Sequence, residues 1–197
     1  MDSKDTIEVV DDFLPLEKFA EVQKVFLSNN FPWSWCEDTV KYPEDKQELL
    51  KIPEDLRPKI ICEEEDNYQL QNVMYVDCVP LNEYFQYVSP VLALLRPKAI
   101  GLCRVKVNLN PRTQERVYHG MHTDTYFTSR TAVYYLNTND GITLFETGQE
   151  VKSVSNRIVF FPSHIKHTGT TCTDQKRRVV LNINYLCDDG DRGKYYT

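Results

Sequence analysis

All four histidines of this 197-residue chain, His119, His122, His164 and His167, fall in two short stretches, "YHGMHTDTYF" and "FFPSHIKHTG". His122 and Asp124 are two residues apart, so on a β-strand their side chains leave the same face and can grip one ion. A histidine from a distant strand would complete a set of two imidazoles and one carboxylate, leaving the opposite coordination positions open. That donor set suits non-haem Fe(II), whose open positions take oxygen and a co-substrate. His164 and His167, 42 and 45 residues beyond His122, are both candidates for the third ligand. Singly, each piece has a bland reading: an H-x-D triplet is common by chance, and a later histidine is more often structural. The combination of H-x-D, a later histidine after an apolar strand, and an arginine opening another strand carries the weight.

That arginine has its own chemistry. A co-substrate with a carboxylate far from the metal needs a fixed planar cation, and a guanidinium supplies a bidentate fork. Arg177 and Arg178 both precede "VVLNINYL", where "QKRR" alone would read as a solvated turn. Period-two alternation puts Arg178, Val180, Asn182 and Asn184 on one face and Arg177, Val179, Leu181 and Ile183 on the other. The polar face suits a ligand cavity and the apolar face suits packing on helices, so Arg178 is the expected anion-binding residue.

The elements that must hold these groups change in texture along the chain. "PLEKFAEVQKVFLSNN" reads as a helix, with Leu16, Phe19, Ala20, Gln23, Phe26 and Leu27 on one stripe and Pro15 at its start. "LNEYFQYVSPVLALLRP" reads as two successive helices, with Leu81, Tyr84, Phe85, Val88, Leu92 and Leu95 inward and Ser89 as N-cap before Pro90. The charged, proline-rich segment 36–66 reads as an irregular excursion, a natural place for a substrate-covering lid. From about residue 100 the segments "IGLCRVKVNLN", "TAVYYLN", "GITLFE", "NRIVFFP" and "RRVVLNINYL" are short, β-branched and aromatic, and separated by turns such as "NDG". The chain is therefore expected to be mostly β with bracing α-helices, in a closed or double-sheet architecture. One domain is expected over 1–197, with a helical amino-terminal part at about 1–99 and a β core at about 100–187.

Composition narrows the function. Twenty-nine acids against 23 bases give a formal net charge of −6, which disfavours broad nucleic-acid binding. Six scattered cysteines without a C-x-x-C pair read as free thiols of a reducing compartment. No leader-like or membrane-spanning apolar run is present, so a cytoplasmic protein without membrane association is expected.

Taken together, H-x-D, the distal histidine and the distal arginine, with "YYLN" and "NRIVFFP" between them, resemble the Fe(II)- and 2-oxoglutarate-dependent oxygenases, particularly the prolyl-4-hydroxylase-like branch. The resemblance covers roughly residues 100 to 187 and extends more weakly to "VVDDFLPLEKF", similar to the leading helix of small, some phage-encoded, members. It implies a double-stranded β-helix of eight strands in two facing sheets, with helices bracing the larger one. It also implies iron on His122, Asp124 and His167, the last preferred to His164 because it leads into a short strand and lies 11 residues before Arg178. Tyr135, the second tyrosine of "YYLN", is implied to bond the distal carboxylate of 2-oxoglutarate beside Arg178. The branch often has a tyrosine on the strand that reads "RVKVNLNP" here; this sequence has none, so Asn108 or Asn110 is the expected substitute.

By the same resemblance the reaction would be hydroxylation of an unactivated C–H bond, with O2 consumed, succinate and CO2 released, and ascorbate as a candidate reductant. A protein or peptide substrate, such as a prolyl side chain, is preferred. The nucleic-acid branch usually shows a second arginine further along the last strand, which "RRVVLNINYL" lacks. The rivals are an oxygenase acting on a small molecule or nucleic acid, a cupin-like zinc protein, and a non-catalytic β-sandwich binding module. His119 lies outside the motif and reads as an ordinary loop histidine, while Trp33 and Trp35 read as core.

Overall fold

A computed structural model describes residues 6–37, 39 and 67–187. Apart from residues 36, 37 and 39, the excursion expected at 36–66, and the lid placed on it, lie outside the described residues. In chain order the elements are β1 (Glu8–Val10), α1 (Leu16–Phe26), β2 (Ser34–Cys36), β3 (Gln69–Val76), β4 (Val79–Pro80), a 3-10 helix (Glu83–Val88) and α2 (Ser89–Leu92). There follow β5 (Ala99–Pro111), β6 (Arg130–Tyr135), β7 (Ile142–Phe145), β8 (Glu150–Lys152), β9 (Ile158–Pro162), β10 (His167–Gly169) and β11 (Arg177–Cys187). Eight strands form one sheet in the order β1-β9-β6-β11-β5-β3-β2, with β4 beside β3, and β10-β7-β8 form a second. Bridges from Tyr118 to Thr170 and from His122 to His167 add the segment around 118–122 to the open side of β10.

Alternation along the long central strands sorts side chains between two compartments. On β5, β6 and β11, Val105, Val107, Leu109, Ala132, Tyr134, Val179, Leu181 and Ile183 face a core shared with Phe19, Val22 and Phe26 of α1. The opposite face turns Val133, Tyr135 and Val180 toward the space between the sheets, where Phe145, Val159 and Phe161 pack with them. The helix thus braces the larger sheet, and the polar residues of β5 and β11 are left for the inner side.

The buried stripe of α1 is Phe19, Val22 and Phe26, whereas Leu16 is 77% exposed and Ala20 is also exposed. Gln23, the polar residue on that stripe, donates from Nε2 to the Leu136 carbonyl at 2.7 Å, which ties α1 to the end of β6. Asn156, at a positive φ of 65°, accepts at Oδ1 from Leu14 N (3.0 Å) and Tyr134 Oη (2.6 Å) and donates to Leu14 O (2.8 Å). An asparagine tolerates this left-handed conformation, and its amide ties the turn before β9 to the chain just ahead of α1.

Four expectations for the first hundred residues are corrected. The region is less helical than expected, because β1, β2, β3 and β4 lie in it and β3 is a full inner neighbour of β5. Ser89 is not the N-cap of α2: it is the first residue of that helix and the C-cap of the 3-10 helix before it, and its hydroxyl donates to Gln86 O at 2.8 Å, while Leu81 is 53% exposed. Trp33 packs against the core, but Trp35 is 59% exposed and stacks on Tyr68 with ring centroids 4.6 Å apart. No disulfide joins the five described cysteines. Among the described residues no helix is long and apolar enough to cross a membrane.

Candidate active site

His122, Asp124 and His167 meet at the mouth of the space between the sheets, with one potential ligand atom from each lying within 4.8 Å of the others. The backbone brings them together by pairing: His122 N donates to His167 O and His167 N to His122 O, both at 3.0 Å. Each imidazole places Nδ1 beside a carbonyl, Gly120 O for His122 (3.1 Å) and Ile165 O for His167 (3.3 Å). A carbonyl only accepts, so both Nδ1 atoms carry the proton and both Nε2 lone pairs are free. Tautomers are fixed in this way around metal-binding histidines generally. His164 is exposed and outside this cluster.

Asp124 is the most heavily supported group of the three. Its side chain is 3% exposed; Oδ1 accepts from Arg104 Nη2 at 3.0 Å, and Oδ2 accepts from Thr131 Oγ1 (3.0 Å), Asn182 Nδ2 (3.2 Å) and Asn184 Nδ2 (3.1 Å). Arg104 also donates to Asn184 Oδ1 at 3.0 Å. The donors come from β5, β6 and β11, at positions the register aligns: Asn184 stands opposite both Arg104 and Thr131. Burial alone would raise the carboxyl, but the neighbouring His167 and His122 rings and the cations Arg104 and Lys106 outweigh it and hold Asp124 well below the usual carboxylate range. Burial first, then His167, pushes the His122 imidazole down to about 4, and burial likewise lowers His167 against the pull of Asp124. The set thus offers an ionised carboxylate and two neutral imidazoles, the protonation states a divalent cation needs.

From this cluster a pocket of about 520 Å³, its open mouth included, runs inward to Arg178. Arg178 is 2% exposed, donates from Nε to Ser153 Oγ (2.8 Å) and from Nη2 to Thr143 Oγ1 (3.2 Å), and lies 5.7 Å over the Tyr135 ring. Tyr135 Oη shares the same Thr143 hydroxyl at 2.8 Å. Burial lowers the basicity of this guanidinium, and among the described residues no carboxylate pairs with it. Two glycines make its room. A Cβ on Gly141 would stand 2.5 Å from Arg178 Cδ and 2.9 Å from Thr171 O, and one on Gly169 would stand 3.2 Å from Arg178 Nη1. The glycine of "NDG" is therefore needed by the arginine's close approach.

Asn108, Asn110 and Lys106 line the wall contributed by β5. Lys106 is pushed down to about 8 by burial first and Arg104 next, against the pull of Asp124. Asn108 Oδ1 and Asn182 Oδ1 are buried without a hydrogen-bond partner among the described residues. His119 corrects the loop-histidine expectation: it is 1% exposed, lines the pocket, and its Nε2 lies 3.3 Å from Asn110 Nδ2. Sequence reasoning also missed Thr131, Thr143 and Ser153. Thr131 and Thr143 lie on strands, where alternation could have found them, but Ser153 follows β8 in a turn and gave no signal.

Comparison with known proteins adds the fold. No protein-family model matches the chain, and no curated protein matches it. Solved structures do match. A 2OG-Fe(II) oxygenase family oxidoreductase from Burkholderia pseudomallei superposes with a TM-score of 0.60 at 10% identity, covering 91% of this chain and 85% of that one. A Trichoplax adhaerens prolyl hydroxylase, solved with a hypoxia inducible factor oxygen degradation domain peptide, gives 0.55 at 15% identity over 91% and 83% of the two chains. A Pseudomonas putida prolyl-4-hydroxylase gives 0.55 at 16% identity over 93% of both. The fold is therefore the one used by 2-oxoglutarate and Fe(II)-dependent oxygenases, a double-stranded β-helix with helices against its larger sheet.

Proposed function

We propose that the pocket is the active site of an Fe(II)- and 2-oxoglutarate-dependent hydroxylase acting on an unactivated C–H bond of a protein side chain such as a prolyl residue. In this reading His122, Asp124 and His167 hold the iron, Arg178 with Tyr135 holds the distal carboxylate of 2-oxoglutarate, and Asn108 lines the adjoining wall. One observation carries it: a two-histidine, one-carboxylate cluster shares a pocket with a buried guanidinium that no described carboxylate neutralises. The residues fit both groups. The two Nε2 atoms and Asp124 form a facial donor set, and the lone buried cation would be relieved by an anion.

When bound, iron and 2-oxoglutarate supply the oxidising power: with O2, the oxo acid loses CO2 to become succinate and the substrate carbon gains a hydroxyl. The chain's own contribution is orientation. Arg104, Thr131, Asn182 and Asn184 fix the Asp124 carboxylate, and the carbonyls of Gly120 and Ile165 fix the imidazole tautomers. Val133 and Val180 supply the apolar part of the pocket lining, which disfavours stray water beside the reacting groups. A protein substrate is supported by the fold shared with two prolyl hydroxylases, one of them solved with a peptide.

The test is an anaerobic titration of Fe(II) and 2-oxoglutarate into the apo protein, reading the visible metal-to-ligand charge-transfer band. The band is expected in the native protein and in His164→Ala, and lost in His167→Ala. Its absence from the native protein would sink the reading in favour of a binding module. Succinate release stimulated by prolyl peptides, and not by free small molecules, is the outcome expected for substrate class.

A further inference from the structure

Neither the metal cluster nor the arginine end, as described, uses the Asn110–His119 contact. Asn110 sits on β5 directly opposite Arg178 on β11. Its Nδ2 lies 3.3 Å from His119 Nε2, and an amide nitrogen can only donate. His119 Nε2 must therefore accept, and the imidazole proton must sit on Nδ1. That Nδ1 is fully buried and has no hydrogen-bond partner among the described residues. His119 and Arg178 line the same pocket, and the His119 backbone N donates at 3.3 Å to the carbonyl of Gly169, the residue whose absent side chain leaves room for Arg178 Nη1. Arg178 is, after burial, the strongest influence keeping this imidazole neutral.

A buried donor with no acceptor costs about 1–3 kcal/mol, so the arrangement calls for one. A carboxylate accepts at roughly four lone-pair sites, more than Arg178 alone fills, and a neutral donor can join it without putting a second charge in the cavity. We propose that His119, held by Asn110 as its Nδ1–H tautomer, is a neutral hydrogen-bond donor to the carboxylate that Arg178 binds, and so does the work of the tyrosine that β5 lacks. This rests on the 2-oxoglutarate reading above.

The experiment uses the full chain loaded with Mn(II) and measures binding of two probes by calorimetry. One probe is 2-oxoglutarate; the other is oxalate, which chelates a metal but has no distal carboxylate. In His119→Phe, 2-oxoglutarate should bind about 5- to 20-fold more weakly, with oxalate and Mn(II) affinities within about twofold of native. Asn110→Ala, which releases the tautomer and keeps the imidazole, should show a smaller loss with the same selectivity. If His119→Phe does not fold, His119→Asn carries the same comparison. Unchanged 2-oxoglutarate affinity, or equal weakening of both probes, would overturn the assignment; the second result would mean that His119 shapes the metal centre. Failure of the native protein to bind 2-oxoglutarate would instead overturn the hydroxylase reading, and this one with it.

Discussion

The two ends of the pocket are prepared in opposite ways. At the metal end nearly everything is already satisfied: Asp124 accepts four hydrogen bonds and each ligand imidazole donates to a carbonyl. At the inner end a guanidinium is buried with only hydroxyl acceptors among the described residues, and His119 Nδ1 has no acceptor among them. The first arrangement fixes geometry before any ion arrives. The second leaves electrostatic need for an anion to meet. A folded protein can keep a polar network that is complete, but an unpaired buried cation is retained against stability, which points to ligand binding at the inner end.

The contrast can be broken most severely at the metal end. His167→Ala should remove metal binding beyond the ~10–100-fold loss usual for an outer-shell partner, read as loss of the charge-transfer band, with His164→Ala as the unaffected control. At the inner end, Arg178→Met should weaken 2-oxoglutarate by about two orders of magnitude while Fe(II) affinity holds. Because no carboxylate among the described residues pairs with the cation, the same variant's apo melting temperature should stay level or rise. A large fall in melting temperature with 2-oxoglutarate affinity intact would make Arg178 a structural residue and erase the contrast.

Acid sharpens the comparison next. His119 is held neutral down to about 3, first by burial and then by the Arg178 charge, below its ordinary 6.5. A depressed histidine binds fewer protons folded than unfolded, so its share of stability is intact above pH 6.5 and is lost as pH falls toward 3. Between pH 7 and 5 that share is about 2 kcal/mol, and His119→Asn should flatten the denaturation profile by that much; an unaltered slope would contradict it. Asn184→Ala should lower metal affinity by about tenfold, seen in a Mn(II) titration, because Asp124 loses one of its holding bonds. The smallest effect is expected from Gly169→Ala. Its Cβ meets only the terminal Nη1 of Arg178, at 3.2 Å, so 2-oxoglutarate affinity should fall only a few-fold, with metal binding retained.

Much of this was legible because β-strands alternate. Arg178, Asn182 and Asn184 read as a polar row from spacing alone, and the structure turns that row inward, Arg178 and Asn182 lining the pocket and Asn184 holding Asp124. The partition of that row between metal support and anion binding was not legible, since it depends on which residues stand opposite one another across strands distant in sequence. β3 escaped notice for a local reason. Its register against β5 shifts between Val73 and Tyr75, so period two is broken in mid-strand and the apolar residues of "QLQNVMYV" keep no single face. His119 was misread because its burial comes from the segment around 118–122 joining β10, a pairing that no turn signal announces. Trp35 was misread because it lies on an edge strand, where an aromatic can stack outward on Tyr68.

The support of Asp124 by three strands also sets an order of events in time. Its partners lie 20, 7, 58 and 60 residues away, on β5, β6 and twice on β11. A slip of one residue in any of those strands would send its donor to the helix side of the sheet. Contacts so far apart in sequence form late and slowly, so the carboxylate is not organised until the central strands have found their register. In the proposed reading, metal loading would therefore follow folding, and a chain caught partway would present the two imidazoles and the carboxylate unassembled.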